Sequence, residues 1–308
     1  MAGTVKYACW HVLGAGAIGC LFAGALQRAG SPTTVLLRAG ATATGITVAV
    51  AREGATRRVE LPVSTAIQPG HISHLLVTTK AQDVCTAVMS VGHRLDSSSQ
   101  VLLLANGLGF AEELRASLPS PVYYYGTTTE AAYRRDPPRQ NAARREIYHA
   151  GSGITRIGRP GISTPPAWFE QWARAVQPST WDPAIEQSLW LKLAINCAIN
   201  PLTALHRCPN GDLARPHLAP RVANLCEEIM QVSAAAGYAE ATANLPARVA
   251  EVVTATAANR SSMLQDVLAG RATEIDYITG HLLRVAVRHG IAAPANEALY
   301  RSIADLAH

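Results

Sequence analysis

The chain has 308 residues, enough for about two domains that each bury a core of their own. At 48% hydrophobic, 16% charged and only 6% aromatic, its composition is that of an ordinary Ala-rich globular protein without low-complexity tracts. The formal net charge of +5 raises the question of a polyanionic partner, and Arg134, Arg135, Arg139, Arg144 and Arg145 do cluster. With Pro137 and Pro138 among them and no interleaved aromatics, they read as a solvated surface loop, not a nucleic-acid module; an anionic small molecule accounts for the charge equally well.

No apolar run approaches the ~20 residues of a membrane helix. A charged leader followed by a long apolar run and a cleavage site is also missing, so the expectation is a soluble, cytoplasmic protein with no membrane partner. Six cysteines are scattered without a CxxC pair, mostly in apolar patterns where a reduced thiol acts as a small hydrophobe. No metal site is expected.

Residues 7–13 are apolar enough for a central parallel strand and run into Gly14-Ala15-Gly16-Ala17-Ile18-Gly19, a G-x-G-x-x-G turn. A helix over Ala17 to Ala29 follows and stops at Gly30. Strand, glycine turn and helix in that order point to a dinucleotide: Gly14 for the tight turn, Gly16 for close approach of the pyrophosphate, Gly19 for helix packing. The second strand ends at Arg38, where an NAD-binding chain usually carries Asp or Glu for the ribose 2′-hydroxyl. A guanidinium there suits a 2′-phosphate and favours NADPH over NADH, although a surface arginine is the plainer alternative.

Residues 46–63 alternate on either side of Glu53-Gly54 and predict an inserted hairpin. Three further apolar strands end at Lys80, Asn106 and Thr127 to Thr129. Ligands of open α/β sheets bind beyond the carboxyl ends of the strands, so Gly14, Arg38, Lys80, Asn106 and Thr127 should share one rim. Lys80 could meet a phosphate or the ribose and Asn106 the nicotinamide end, with a solvated lysine as the alternative for Lys80. Residues 146–158 predict one or two short strands, and His149 at a strand end reads as a structural group.

From Asp182-Pro183 onward helical periodicity takes over, placing a domain boundary between residues 1–181 and 182–308. Helices are predicted from Pro183 to Leu205 with a kink or break at Pro201, Pro216 to Ala236, Pro246 to Ala269, Glu274 to His289 and Pro294 to Leu306. In the first of these Lys192, Asn196 and Asn200 recur every four residues, so one ammonium and two amides share a face. Among Leu191, Leu193 and Ile195 the lysine must snorkel to water or find partners; a lysine tucked against a domain interface is the plain alternative. In the third predicted helix Asn259, Ser262 and Asp266 fall on one face. Glu274, expected at the head of the fourth helix where the macrodipole favours any carboxylate, becomes interesting as a partner that keeps Lys192 charged.

LWLKLAINCAINPLTAL with CPNGDL, NRSSMLQDVLAGRATEIDYITG, GAGAIG and TTKAQDV…ANGLG…YGTTT together resemble the ketopantoate reductase (2-dehydropantoate 2-reductase) family over almost the whole chain. The resemblance implies an α/β Rossmann-type N-terminal domain binding NADPH. It also implies an all-α C-terminal domain, of the 6-phosphogluconate dehydrogenase C-terminal-like type, that closes a cleft. The implied reaction reduces ketopantoate to D-pantoate for pantothenate and coenzyme A synthesis. Carried over by position, Lys192 is the general acid and Glu274 a contact to the substrate hydroxyl. Asn106, Asn196, Asn200 and Ser262 surround the substrate's carboxylate and oxygens. Gly14, Ala15, Gly16, Ala17, Ile18, Gly19, Arg38 and Lys80, with Asn106 and Glu274, attend the cofactor, and Asn259 supports that side. The arginine-rich loop from Tyr133 to Glu146 and Glu130 after the threonine run depart from the family pattern.

Three alternatives stay open from the residues. One is a reductase of another branched 2-keto acid on the same scaffold. Another is a non-catalytic NADP-binding interaction protein, which would have little reason to carry this polar set. The third is a nucleic-acid binder resting on the arginine cluster alone. Oligomeric state is not written in the sequence, a homodimer being one option.

Overall fold

The computed structural model describes residues 8–52, 55–135 and 144–306. It divides into two compact units. The first takes the described residues up to Ala105 together with Phe110–Ile185, and the second takes Asn106–Gly109 together with the described residues from Glu186 onward.

The first unit is built on one sheet. Its elements in chain order are β1 (Trp10–Leu13), α1 (Ala17–Arg28), β2 (Thr33–Leu37), β3 (Gly45–Arg52), β4 (Ala55–Thr65), β5 (His74–Val77), α2 (Val84–Ser90), β6 (Gln100–Leu103), α3 (Phe110–Ser117), β7 (Val122–Thr128), β8 (Ala131–Arg134), β9 (Arg144–Gly151), β10 (Thr155–Gly158), α4 (Trp168–Ala175) and β11 (Ser179–Trp181). The eleven strands lie in the order β11-β10-β7-β6-β5-β1-β2-β4-β3-β9-β8. Within it β4-β2-β1-β5-β6-β7 run parallel. This is the doubly wound 3-2-1-4-5-6 arrangement, whose order reverses between β1 and β5, the topological switch point. The Rossmann-type unit expected from the strand, glycine turn and helix is therefore present.

The strands are apolar because they are covered on both faces: Trp10, Val12, Leu75, Leu76, Val77 and Val101 are fully buried. Aromatic residues are few but concentrated. Trp10 of β1 packs on Trp168 and Trp172 of α4, with ring centroids 5.3 Å apart in both pairs, and Phe22 of α1 meets Trp172 edge-on. Such pairs add about 0.5–1.5 kcal/mol each beyond area burial. They clamp β1, and with it the turn that follows.

The predicted hairpin is β3 and β4, paired from Gly45↔Pro62 to Arg52↔Ala55; Glu53 and Gly54 lie outside the described residues. The arginine cluster is not simply a loop. Arg134 ends β8 and Arg144 and Arg145 begin β9, which pair antiparallel, while the Arg135 guanidinium lies 4.2 Å from the Tyr148 ring centroid. Arg139, Pro137 and Pro138 lie outside the described residues.

The second unit is helical: α5 (Ile185–His206), α6 (Ala219–Ala235), α7 (Ala239–Thr242), α8 (Leu245–Ala255), α9 (Ser262–Leu268), α10 (Thr279–His289) and α11 (Pro294–Leu306). No helix among the described residues is long and apolar enough to cross a membrane. α5 is apolar nearly all round because it runs through the core, with Leu193, Ala194, Cys197, Ala198 and Leu202 at most 2% exposed. The break expected at Pro201 is absent, and the helix continues through it to His206. Proline removes the bond to Cys197 O without ending the helix, because Ile199, Leu202 and Thr203 around it are buried and their packing holds the turn; the Thr203 hydroxyl reaches Ile199 O at 3.0 Å and Asn200 O at 2.9 Å.

The single helix predicted from Pro246 to Ala269 is instead two, α8 and α9, separated at residues 256–261. Ser261 interrupts it: its side chain accepts Leu264 N–H at 3.1 Å and starts α9 afresh. Buried Glu228 has a structural task, accepting Ala295 N–H and Asn296 N–H at the start of α11.

Candidate active site

The glycine turn after β1 is crowded on one side and open on the other. Gly14 has φ +111°, and a Cβ there would lie 2.7 Å from backbone atoms of Thr78 and Thr79, just past β5. Thr78 Oγ1 donates to Gly14 O at 2.8 Å, tying the turn to that strand end. Gly19 has still less room, since its Cβ would fall 2.0 Å from Gly14 O. A Cβ on Gly16, in contrast, would meet nothing within 4 Å among the described residues.

Gly16 caps α1 without a side-chain acceptor, and the first turn holds no acid, so the positive end of the helix dipole is available to an anion. Ala15, Ala17 and Ile18 complete the turn, partly exposed. Thr79 Oγ1 is buried with no hydrogen-bond partner among the described residues, a group that a bound polar ligand would satisfy. Tight turn, open approach and uncapped helix fit the pyrophosphate of a dinucleotide. Arg38 follows β2 and is exposed, Lys80 follows β5 with intermediate exposure, and Thr127 near the end of β7 is buried. Thr78 and Thr79 were missed as contributors, although the TTK run ahead of Lys80 carried the signal.

The second unit gathers the reactive groups. Lys192 sits on α5 among Leu191, Leu193 and Ile195, partly exposed. Burial pushes its ammonium well below the lysine range, down to about 8, and the negative charge of Glu274 opposes the fall. Glu274 is itself buried, and its Oε2 accepts a hydrogen bond from Asn106 Nδ2 at 3.3 Å. Asn106 reaches it because the ANGLG backbone lies flat on the turn that carries Glu274. Leu108 N–H donates to Tyr277 O at 2.8 Å. At φ +80° Gly107 leaves no space, a Cβ there falling 2.4 Å from the same carbonyl.

Glu274 does not head a helix as expected. Its carbonyl accepts the N–H groups of Tyr277 and Ile278 in a separate turn, and α10 begins only at Thr279. Its carboxylate is thus held by Asn106 and acts electrostatically on Lys192, with no macrodipole to explain its place.

Asn196 is partly exposed and Asn200 buried, both on the Lys192 face of the continuous α5. Ser262 is exposed on the first turn of α9. Asn259 does not share a helix face with it or with Asp266: it lies exposed between α8 and α9, while buried Asp266 accepts from Arg271 Nε at 3.0 Å. His149 and Glu130 form a pair, His149 Nε2 to Glu130 Oε2 at 2.5 Å, which gives the histidine a structural partner. Among the described residues no group of histidines, cysteines and carboxylates could hold a metal ion.

Residues 10–161 match the pattern of the family described as "Ketopantoate reductase PanE/ApbA", and residues 184–307 that of its "C terminal" part. The 2-dehydropantoate 2-reductase of Vibrio cholerae is 38% identical over 300 residues, covering 96% of each chain. Among solved structures, a PanE/ApbA family ketopantoate reductase from Ralstonia eutropha superposes with a TM-score of 0.83 at 26% identity, over 97% of this chain and 98% of that one. D-mandelate dehydrogenase with NADH and anilino(oxo)acetate also superposes at 0.83, over 97% of this chain and 98% of that one; at 19% identity this likeness is one of fold.

Proposed function

Since the chain belongs to the ketopantoate reductase PanE/ApbA family, we propose that it reduces 2-dehydropantoate to D-pantoate with NADPH, a step toward pantothenate and coenzyme A. The observation that carries this reading is the placing of Lys192 on one face of α5 with Asn196 and Asn200, where burial lowers its pKa to about 8 against the opposing charge of Glu274, itself held by Asn106. An ammonium of that acidity is mostly protonated at neutral pH yet gives up its proton far more readily than an ordinary lysine. When bound, the dinucleotide supplies the hydride.

The chain's own residues do the rest. Gly14 to Gly19 and the start of α1 hold the pyrophosphate, with Gly16 leaving room for it. Arg38 pairs with the 2′-phosphate, which selects NADPH over NADH, and Lys80 adds a second cation on the cofactor side. Lys192 hydrogen bonds the C2 ketone oxygen, stabilises the charge that builds there and transfers its proton, giving the alcohol and a neutral amine that is recharged from solvent. Glu274 keeps that ammonium charged beforehand and accepts from the substrate hydroxyl. Asn106, Asn196, Asn200 and Ser262 hold the carboxylate and the other oxygens, amides being suited because each both donates and accepts. The net charge of +5 favours an anionic substrate of this kind.

The test is NADPH oxidation by the purified chain with ketopantoate beside other branched 2-keto acids. A kcat/KM for ketopantoate well above the others supports the reading. A clear preference for a different acid transfers it to another 2-keto-acid reductase on this scaffold.

A further inference from the structure

Ser262 is exposed on a seven-residue helix that follows an irregular linker, a poor platform for a substrate contact unless something fixes it. The structure supplies two attachments, both from the end of α5 and the turn after it. Asn210 N–H donates to Asn259 O at 2.9 Å, Gly211 N–H to Ala257 O at 3.0 Å, and Asn210 Nδ2 to Thr256 Oγ1 at 2.8 Å. Gly211 is needed for this, because a Cβ there would lie 2.8 Å from Ala257 Cβ.

The second attachment is a pair of buried hydroxyls. Thr203 Oγ1 and Ser261 Oγ are hydrogen bonded at 2.7 Å, with Thr203 fully buried and Ser261 nearly so. Thr203 also reaches Asn200 O at 2.9 Å, and Ser261 accepts Leu264 N–H in the first turn of α9. One short chain of polar contacts therefore runs from the backbone of Asn200 to the residue beside Ser262. A threonine bonding back along its own helix and a serine at an N-cap are each ordinary. The link between them is what joins two groups assigned to the substrate.

We infer that Thr203 is a positioning residue: through Ser261 it sets where Ser262 stands relative to Asn200, and so governs affinity for the keto acid without touching it. The inference rests on the proposed reading, in which Asn200 and Ser262 hold the substrate. The closest variant is Thr203→Val, which keeps the shape and removes the hydroxyl. In the full chain we expect KM for the keto acid to rise about tenfold, a small displacement of a contact being enough for that. KM for NADPH and kcat should change less than about twofold, and Thr203→Ser should restore the wild-type KM.

In a Ser262→Ala background Thr203→Val should add almost nothing, because the residue it acts through is gone. If Thr203→Val does not fold, Ser261→Gly cuts the same link from the other side at a position where glycine caps almost as well, and the same KM rise is expected. A lower melting temperature with an unchanged KM would make the pair a stabilising contact only and overturn the inference, as would a full KM effect in the Ser262→Ala background. If Ser262→Ala alone leaves KM unchanged, it is the assignment of Ser262 to the substrate that fails.

Discussion

The carboxylate of Glu274 opposes the burial that draws the Lys192 ammonium down to a pKa of about 8. The two act on one proton in opposite senses, and the sign of a substitution follows. Glu274→Gln keeps the shape and removes the raising influence, so the pKa of Lys192 falls further. A general acid works while protonated, so activity is present below its pKa and lost above it. The alkaline limb of the kcat/KM profile, which reports the free enzyme, should lie near pH 8 in the parent and move to lower pH in Glu274→Gln, with kcat/KM at neutral pH reduced about tenfold. An unmoved limb would mean that another group titrates in that profile.

The glycine turn separates stability from binding. Gly16→Ala adds a Cβ that meets nothing within 4 Å among the described residues, so its melting temperature should fall only slightly, as expected for a weaker N-cap, while NADPH binding, read by fluorescence or calorimetry, should weaken by about tenfold or more as the methyl meets the pyrophosphate. Gly19→Ala puts a Cβ 2.0 Å from Gly14 O and should lower the melting temperature further. Equal melting temperatures for the two variants would contradict this division.

Arg38 stands exposed after β2, and the proposed reading pairs it with the 2′-phosphate of the cofactor. Arg38→Ala should raise Kd for NADPH about tenfold to a hundredfold and leave that for NADH almost unchanged, since a charge-assisted bond to phosphate contributes about 1.5–3 kcal/mol. Parallel losses for both cofactors would show that this side chain does not read the phosphate.

Gly107 packs face to face with the turn that carries Glu274. Gly107→Ala combines a positive φ with a Cβ 2.4 Å from Tyr277 O, and should destabilise the protein by about 2–4 kcal/mol. Differential scanning calorimetry would register that as a melting temperature several degrees lower. A wild-type melting curve would require the Asn106–Gly109 backbone to stand off Tyr277.

Much of this was readable from the residues, for physical reasons that differ by element. The turn at Gly14 to Gly19 is legible because each glycine answers a separate steric demand, and the Lys192, Asn196, Asn200 stripe because four-residue spacing has one meaning on a helix. β8 and β11 are too short to show a period. α4 has no place in the sequence reading, although Trp168 and Trp172 stand four apart; at eight residues it is only two turns long. The division of Pro246 to Ala269 carries neither Gly nor Pro to mark it; its sign is the polar run Asn259-Arg260-Ser261-Ser262, which a helix with an exposed face also tolerates. The partnership of Asn106 with Glu274 joins residues 168 apart, and no local pattern encodes it.

The most direct measurement is steady-state and binding analysis of Lys192→Ala. With this side chain as the proton donor, kcat should fall by about 10²–10⁴-fold while Kd for NADPH, measured without substrate, stays within about twofold of the parent. Turnover within a few-fold of the parent at neutral pH would contradict the assignment and move the acid to another group.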